Sequence, residues 1–341
     1  MNEQYFYEQL NNLLSIDSTI GCCGRIENYV SDEMTRLGLN PEKIRSGGVY
    51  AKLGGDSDNL LISAHLDDIG LMVRFVNPDG TLRVAKVGGL HEEYALSENC
   101  TVYTRDGNCY SGSIQKKYAS VHVTEADVAK RPLDFATNME VVPDMDVKTA
   151  ADTKSLGIDI GSFVALDPRT RYENGFIKSR FVDDKVACAI LLAVIREIKE
   201  KNLKLKRNVM MHFAVSEELG HGLTYVPDGV TDVLSVDIAP TGKEQNSDEH
   251  KVSIFAQDSR FPYNYDMTNE LIACAKKNGI DYVVDSFTPH YGSDADTAIQ
   301  AGNNVRHAAI GEGCANSHGY ERTHIDGVIN TYELVLKYIT E

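Results

Sequence analysis

Three apolar runs in this chain stop abruptly at acids or histidine: LLISA before His65-Leu66-Asp67-Asp68, VMMHFAVS before Glu217-Glu218, and VLSV before Asp237. Each run reads as a buried strand, the first ending near His65 and a further strand following up to the turn signal Asn77-Pro78-Asp79-Gly80. In an open α/β sheet, ligands collect beyond the carboxyl ends of the strands, so polar residues released from buried strands lie where a site would be.

The segments around these runs are helical in pattern. Apolar positions recur at helical spacing in residues 3–15 and 26–39; the stretch RFVDDKVACAILLAVIREIKEKN reads as a long helix whose interior is nearly all apolar on one side, with Arg196 to Lys201 its solvated end, and 269–279 and the closing INTYELVLKYI read as further helices. Between about residue 70 and 167 the texture changes to short β-like runs separated by turn residues: TLRVAKVGG, CTVYTRDGNCYSGSI, VHVTEAD and GSFVALD. Strands alternating with helices on both sides of a β-rich interval imply an α/β domain, residues 1–69 and 168–341, interrupted by an inserted β domain, residues 70–167. The length agrees with about two domains at roughly 150 residues each.

Composition narrows the function. With 34 Lys+Arg against 50 Asp+Glu, a net charge of −16, the chain lacks the basic footprint that nucleic-acid binding needs. No apolar stretch approaches the roughly 18 residues of a membrane span, the longest being Val186 to Ile195, and the first residues lack a basic secretory n-region. Seven cysteines without a CxxC spacing read as free thiols. The expectation is a cytoplasmic protein that engages neither membrane nor nucleic acid.

In an extended segment His65 and Asp67 point the same way, so one can ligate a metal while the other orients the imidazole; a histidine capped by a nearby acid is the plainer alternative. Asp183-Asp184, before the apolar helix, could be an N-cap, yet a carboxylate can also bridge two cations. In the Glu217-Glu218 pair one acid could ligate and the other act as a general base. Asp237, alone amid apolar strand residues, is costly to bury without a cation or hydrogen-bond partners. Two histidines, His318 and His324, flank Glu321-Arg322. Ser293-Asp294 could help form a pocket or simply start a helix. Mixed nitrogen and oxygen donors suit zinc or cobalt rather than calcium, and five ligands are more than one tetrahedral ion needs. Two cations about 3.5–4 Å apart, sharing a carboxylate, would use the set.

The stretches AHLDDIGLMV (64–73), KSRFVDDKVACAILL (178–192), AVSEELGHG (214–222), SVDIAP (235–240) and YGSDADTAIQAG (291–302) occur in an order that resembles the glutamyl-aminopeptidase-like, tetrahedral-aminopeptidase family of dinuclear metallopeptidases. Some members of that family carry the older label cellulase or endoglucanase. The resemblance implies a mixed-sheet zinc-peptidase catalytic domain with an inserted small β-barrel (PDZ-like) domain that serves oligomerisation and chamber formation. It also implies two zinc or cobalt ions, peptide substrates cut at the N-terminus, and a homo-oligomer, typically a dodecamer. Residue by residue, it makes His65, Asp183, Glu218, Asp237 and His318 the metal ligands, with Asp183 bridging and Asp184 beside it without ligating. Asp67 orients His65, and Glu217 is the general base acting on the metal-bound water. The family's usual His-Ser-Pro-x-Glu is altered here: His318 precedes Glu321 by three positions without the proline, and His324 is the alternative last ligand.

Other activities share these residues. A carboxypeptidase or deacylase would use the same dinuclear site, a glycosidase would need only paired acids and no metal, and a non-catalytic scaffold would use the metals as staples. Structural zinc sites are usually rich in Cys, and no cysteine here lies in a ligand-like pair.

Overall fold

The computed structural model describes residues 1–55, 59–118 and 120–341. The chain runs α1 (Glu3–Leu14), α2 (Gly24–Arg36), β1 (Glu42–Lys43), β2 (Val49–Gly54) and β3 (Asn59–His65). A β-rich stretch follows: β4 (Gly70–Val76), β5 (Leu82–Val87), α3 (Glu92–Ala95), β6 (Asn99–Tyr103), β7 (Cys109–Lys116), α4 (Ala126–Ala129), β8 (Met139–Pro143), α5 (Ala150–Ser155) and β9 (Phe163–Leu166). The remainder is β10 (Arg171–Glu173), β11 (Phe176–Ser179), α6 (Val182–Lys201), β12 (Asn208–Ala214), β13 (Asp232–Val236), β14 (Ala239–Pro240), β15 (Val252–Gln257), α7 (Tyr265–Asn278), β16 (Tyr282–Ser286), α8 (Asp294–Gln300), β17 (Arg306–Cys314), β18 (Glu321–His324) and α9 (Ile325–Thr340). Two compact units result, one from residues 1–16, 23–67 and 169–341, the other from 17–22 and 68–168.

The first unit is built on a mixed sheet of order β1-β2-β12-β3-β13-β17-β15-β16. Its centre, β12, β3, β13 and β17, is parallel, whereas β2 and β15 pair antiparallel on either side. The central strands are buried along almost their whole length and mostly apolar because both faces are covered. On one face Leu61, Met210, Val233 and Ala309 pack with Ala295 and Ala298 of α8. The segment expected to be amphipathic, α6, is instead enclosed: every residue from Val182 to Ile195 is buried, and the helix packs against β3, α1 and α9. A helix apolar on all sides is stable only when surrounded, and at about 1.5–3 kcal/mol per buried large aliphatic side chain this helix anchors the unit. The Cys188 thiol of α6 donates to the His65 carbonyl at 3.0 Å, fastening the helix to the end of β3. A separate three-stranded sheet has the order β10-β11-β18.

The second unit is a closed barrel of order β4-β5-β8-β7-β6-β9, with β9 pairing back to β4. Its interior is filled by Leu71, Val73, Val84, Val102, Ile114, Val141 and Val164, all at most 1% exposed. Closure leaves no free strand edge, which is how a small barrel avoids edge-to-edge association. Residues 17–22 group with it because Ser18 donates to the Asp68 carboxylate at 2.8 Å and the Ile20 N–H to the Asp68 carbonyl at 3.2 Å. The β-like run VHVTEAD (121–127) forms turns leading into α4 rather than a strand. Val121 and Val123 are 74% and 85% exposed, so the alternation there has no sheet to face. Among the described residues no helix is long and apolar enough to cross a membrane.

Candidate metal centre

Strands β3, β12 and β13 end at His65, Ala214 and Val236, while β17 continues past Ile310, the partner of Val236, to Cys314, and the polar residues follow from these strand ends. His65 is the last residue of β3, and Asp67 lies two further on. Glu217 and Glu218 sit on a 3-10 turn just beyond β12, Asp237 immediately follows β13, and His318 lies in the turn between β17 and β18. Asp183 and Asp184 occupy the start of α6. The backbone needs left-handed conformations to make these corners: Phe181 has φ 65°, Ser216 74° and His318 62°. Non-glycine residues in that region store local strain that packing must offset, a pattern common at functional sites.

The side chains converge. His65 Nε2 is 3.1 Å from Asp183 Oδ1, and His318 Nε2 is 3.7 Å from the other oxygen, Asp183 Oδ2. His318 Nε2 is also 3.2 Å from Glu218 Oε2, while Glu217 Oε2 stands 3.8 Å from His65 Nε2. Ligand atoms of His65, Asp183 and Glu218 lie within 4.8 Å of one another, as do those of His65, Asp184 and Asp237.

A layer of acids holds this set in place. Asp67 is fully buried, and its two oxygens accept the backbone N–H groups of Glu217 at 3.1 Å and Glu218 at 3.3 Å while Oδ1 stands 3.6 Å from His65 Nδ1. Asp184 Oδ2 accepts the His65 N–H at 3.0 Å. Glu321, also buried, accepts the Asp183 N–H at 3.0 Å and the His318 N–H at 2.8 Å, so one carboxylate positions two residues of the cluster.

So many carboxyls in a dry site are electrostatically frustrated. Burial pushes Asp184, Asp237, Glu217 and Glu321 well above the usual carboxylate range, and adjacent acids add to it. Burial likewise raises Asp67 to about 6 and Glu312 to about 8. Asp183 behaves differently: burial opposes its ionisation, but the His65 hydrogen bond and the charges of His65 and His318 bring it below the usual range. Burial would lower His318, yet Glu218 and Asp183 carry it up to about 10. Asp184 Oδ1 has no hydrogen-bond partner among the described residues. Clustered anions of this kind, with two imidazoles among them, are the donor set that divalent transition-metal cations require.

All five expected ligands, His65, Asp183, Glu218, Asp237 and His318, stand at this sheet edge with Asp67 and Glu217. Asp184 comes as close to His65 and Asp237 as a ligand would. His324 does not join them; it caps α9, its Nδ1 accepting the Asp326 N–H at 3.1 Å. Ser293 caps α8 as a turn residue, while Asp294 points inward: its carboxylate accepts the Ser63 hydroxyl at 3.2 Å, and a Cβ on Gly222 would lie 2.1 Å from its other oxygen. Burial raises Asp294 to about 7. Glu321's bracing role and the buried Glu312 were not anticipated. Glu312 is a lone acid in the apolar run HAAIGEGC, the same signal that marked Asp237.

The M42 glutamyl aminopeptidase family model matches residues 47–334. A Bacillus subtilis (strain 168) protein described as "Putative aminopeptidase YhfE" is 36% identical over 339 residues, 97% of this chain and 96% of the relative. The TET aminopeptidase of the marine sediment archaeon Thaumarchaeota archaeon SCGC AB-539-E09 superposes with a TM-score of 0.88 at 18% identity, over 98% of this chain and 97% of that one. Pyrococcus horikoshii TET1 peptidase, which can assemble into a tetrahedron or a large octahedral shell, gives 0.86 at 19% identity over 98% and 99%.

Proposed function

The chain belongs to the M42 glutamyl aminopeptidase family and is an aminopeptidase, a hydrolase of the exopeptidase kind; on that premise we propose that it removes N-terminal residues from peptides at a centre of two divalent cations, zinc or cobalt, with Glu217 as general base. The observation that carries this reading is the division of Asp183, one oxygen toward His65 and the other toward His318. His65 and Asp237 would hold one cation, Glu218 and His318 the other, and Asp183 both. Divalent cations, when bound, polarise a scissile carbonyl and lower the pKa of adjacent water.

Glu217 is the acid left over. It takes a proton from the attacking water and returns it to the departing amine; burial raises this carboxyl well above the usual carboxylate range, which strengthens it as a proton acceptor. Asp67 keeps Glu217 and Glu218 in register through their N–H groups, so base and ligand move as one. The surplus of carboxylates attracts a free ammonium group, which suits a substrate with an unblocked N-terminus. We further propose a homo-oligomer of dodecamer type, with the β domain of residues 70–167 forming its contacts and chamber; the dodecamer of PhTET1-12s and the tetrahedron or large octahedral shell of Pyrococcus horikoshii TET1 peptidase support self-assembly.

Amino-acid amides and their N-acetylated counterparts test the reading. Hydrolysis should require the free amine, stop with a chelator and return with zinc or cobalt. Glu217→Gln should bind as much metal as the wild type while kcat drops about 10²–10⁴-fold. Release of acetate from the acetylated series would assign a deacylase, cleavage of an N-blocked peptide with a free carboxylate would assign a carboxypeptidase, and near wild-type turnover by the Gln variant would remove Glu217 from the mechanism.

A further inference from the structure

A second convergence of metal-ligating side chains shares no residue with the cluster around Asp183. It consists of His250, between β14 and β15, His324 at the end of β18, and Asp326 in the first turn of α9. The two imidazoles stack with ring centroids 4.0 Å apart at 37°. Both turn Nδ1 to the same carboxylate oxygen, Asp326 Oδ2, His250 at 2.9 Å and His324 at 3.2 Å. Ligand atoms of all three lie within 4.8 Å of one another. Donor atoms around a tetrahedral zinc with bonds of about 2.0–2.1 Å stand roughly 3.4 Å apart, so the spacing already approximates a coordination shell.

Surrounding groups fix the rings for that purpose. His324 Nε2 is 3.2 Å from the Asn174 carbonyl, which places its proton on Nε2 and leaves the lone pair on Nδ1, the arrangement found when a ligating histidine donates its second nitrogen to a backbone oxygen. Phe176 of β11 meets both imidazoles edge-on, 4.8 Å from His324 and 6.0 Å from His250. His324 is 12% exposed, but His250 and Asp326 are about half exposed, which admits a cation and leaves room for water ligands.

We infer that His250, His324 and Asp326 form a binding site for one transition-metal cation of the zinc, cobalt or nickel class. Two imidazole nitrogens and one carboxylate oxygen match these ions and disfavour calcium and magnesium. The cation displaces the hydrogen bond from the Asp326 N–H to His324 Nδ1 and faces the positive end of α9, so it binds more weakly than ions in a buried five-ligand centre. Bound there, it staples the segment before β15 to β18 and α9.

The test is metal uptake by the full chain, measured by equilibrium dialysis against cobalt or zinc at pH 8 with elemental analysis. The wild type should hold one equivalent more than His250→Gln and than Asp326→Asn, while His122→Gln, which removes an exposed histidine of the β domain, should match the wild type. Because the measured quantity is a difference between variants, it stands whether the cluster around Asp183 takes two ions, one or none. Equal uptake by wild type and His250→Gln would overturn the site, as would an equal loss in His122→Gln, which would mean adventitious binding by surface histidines only.

Discussion

Glu321 shows how a residue can matter to a metal centre without being proposed to touch a cation. Its two oxygens hold the N–H groups of Asp183 and His318, residues that enter from the start of a helix and from a strained turn. Glu321→Ala should therefore lower metal affinity about 10–100-fold, read by zinc competition with a chromophoric chelator; Glu321→Gln, which keeps one acceptor oxygen, should fall between. Unchanged affinity in the Ala variant would show that packing alone sets both ligands. In the sequence, His65, Glu217, Glu218 and Asp237 stood out because each interrupts or follows an apolar run, and Asp183 because it precedes one. Glu321 had no such signal: its partner Asp183 lies 138 positions away, and what it binds is backbone, which composition does not mark. His318 and His324 have equal chemistry in one dimension. They separate only because the turn after β17 carries one inward, while the other caps a helix.

Strands β3, β12 and β13 could be read directly, since apolar and β-branched residues fill them. The central strand β17 could not. Its sequence RHAAIGEGC is dominated by alanine and glycine, poor strand formers in isolation, and only burial between β13 and β15 makes it a strand. The glycines have a packing reason: a Cβ at Gly311 would lie 1.4 Å from the Asp237 carbonyl oxygen. Gly311→Ala must push β17 away from the backbone that presents Asp237, and should cost about 3 kcal/mol or more in chemical denaturation together with loss of metal. A variant of wild-type stability would mean that β17 relaxes more easily than its packing implies. The reading of α6 as one-sided failed for the opposite reason: its charged residues cluster at the two ends, and the apolar middle has neighbours on every side.

For the full chain, texture gave an α/β arrangement with a β-rich interval and the family resemblance gave the mixed sheet and the barrel, while the membership of residues 17–22 in the second unit depends on contacts with Asp68 that no local pattern reveals. A net charge of −16 opposes self-association at long range, so any assembly must be held by specific short-range contacts. Under the proposed dodecamer, native mass spectrometry should find about twelve times the 37.7 kDa of one chain. A monomer or dimer at micromolar concentration would dismiss the chamber and leave the hydrolytic proposal untouched.

The sheet order also has a consequence for biosynthesis. Strand β17 inserts between β13 and β15, both made earlier, and His318 and Glu321 follow it. A nascent polypeptide leaving the ribosome therefore lacks the central strand and the proposed ligand His318 until translation is far advanced, and long-range strand pairing of this kind forms late. Under the proposed metal centre, hydrolysis of free amino termini should be absent from a nascent chain and begin only once β17 and the turn after it have been made.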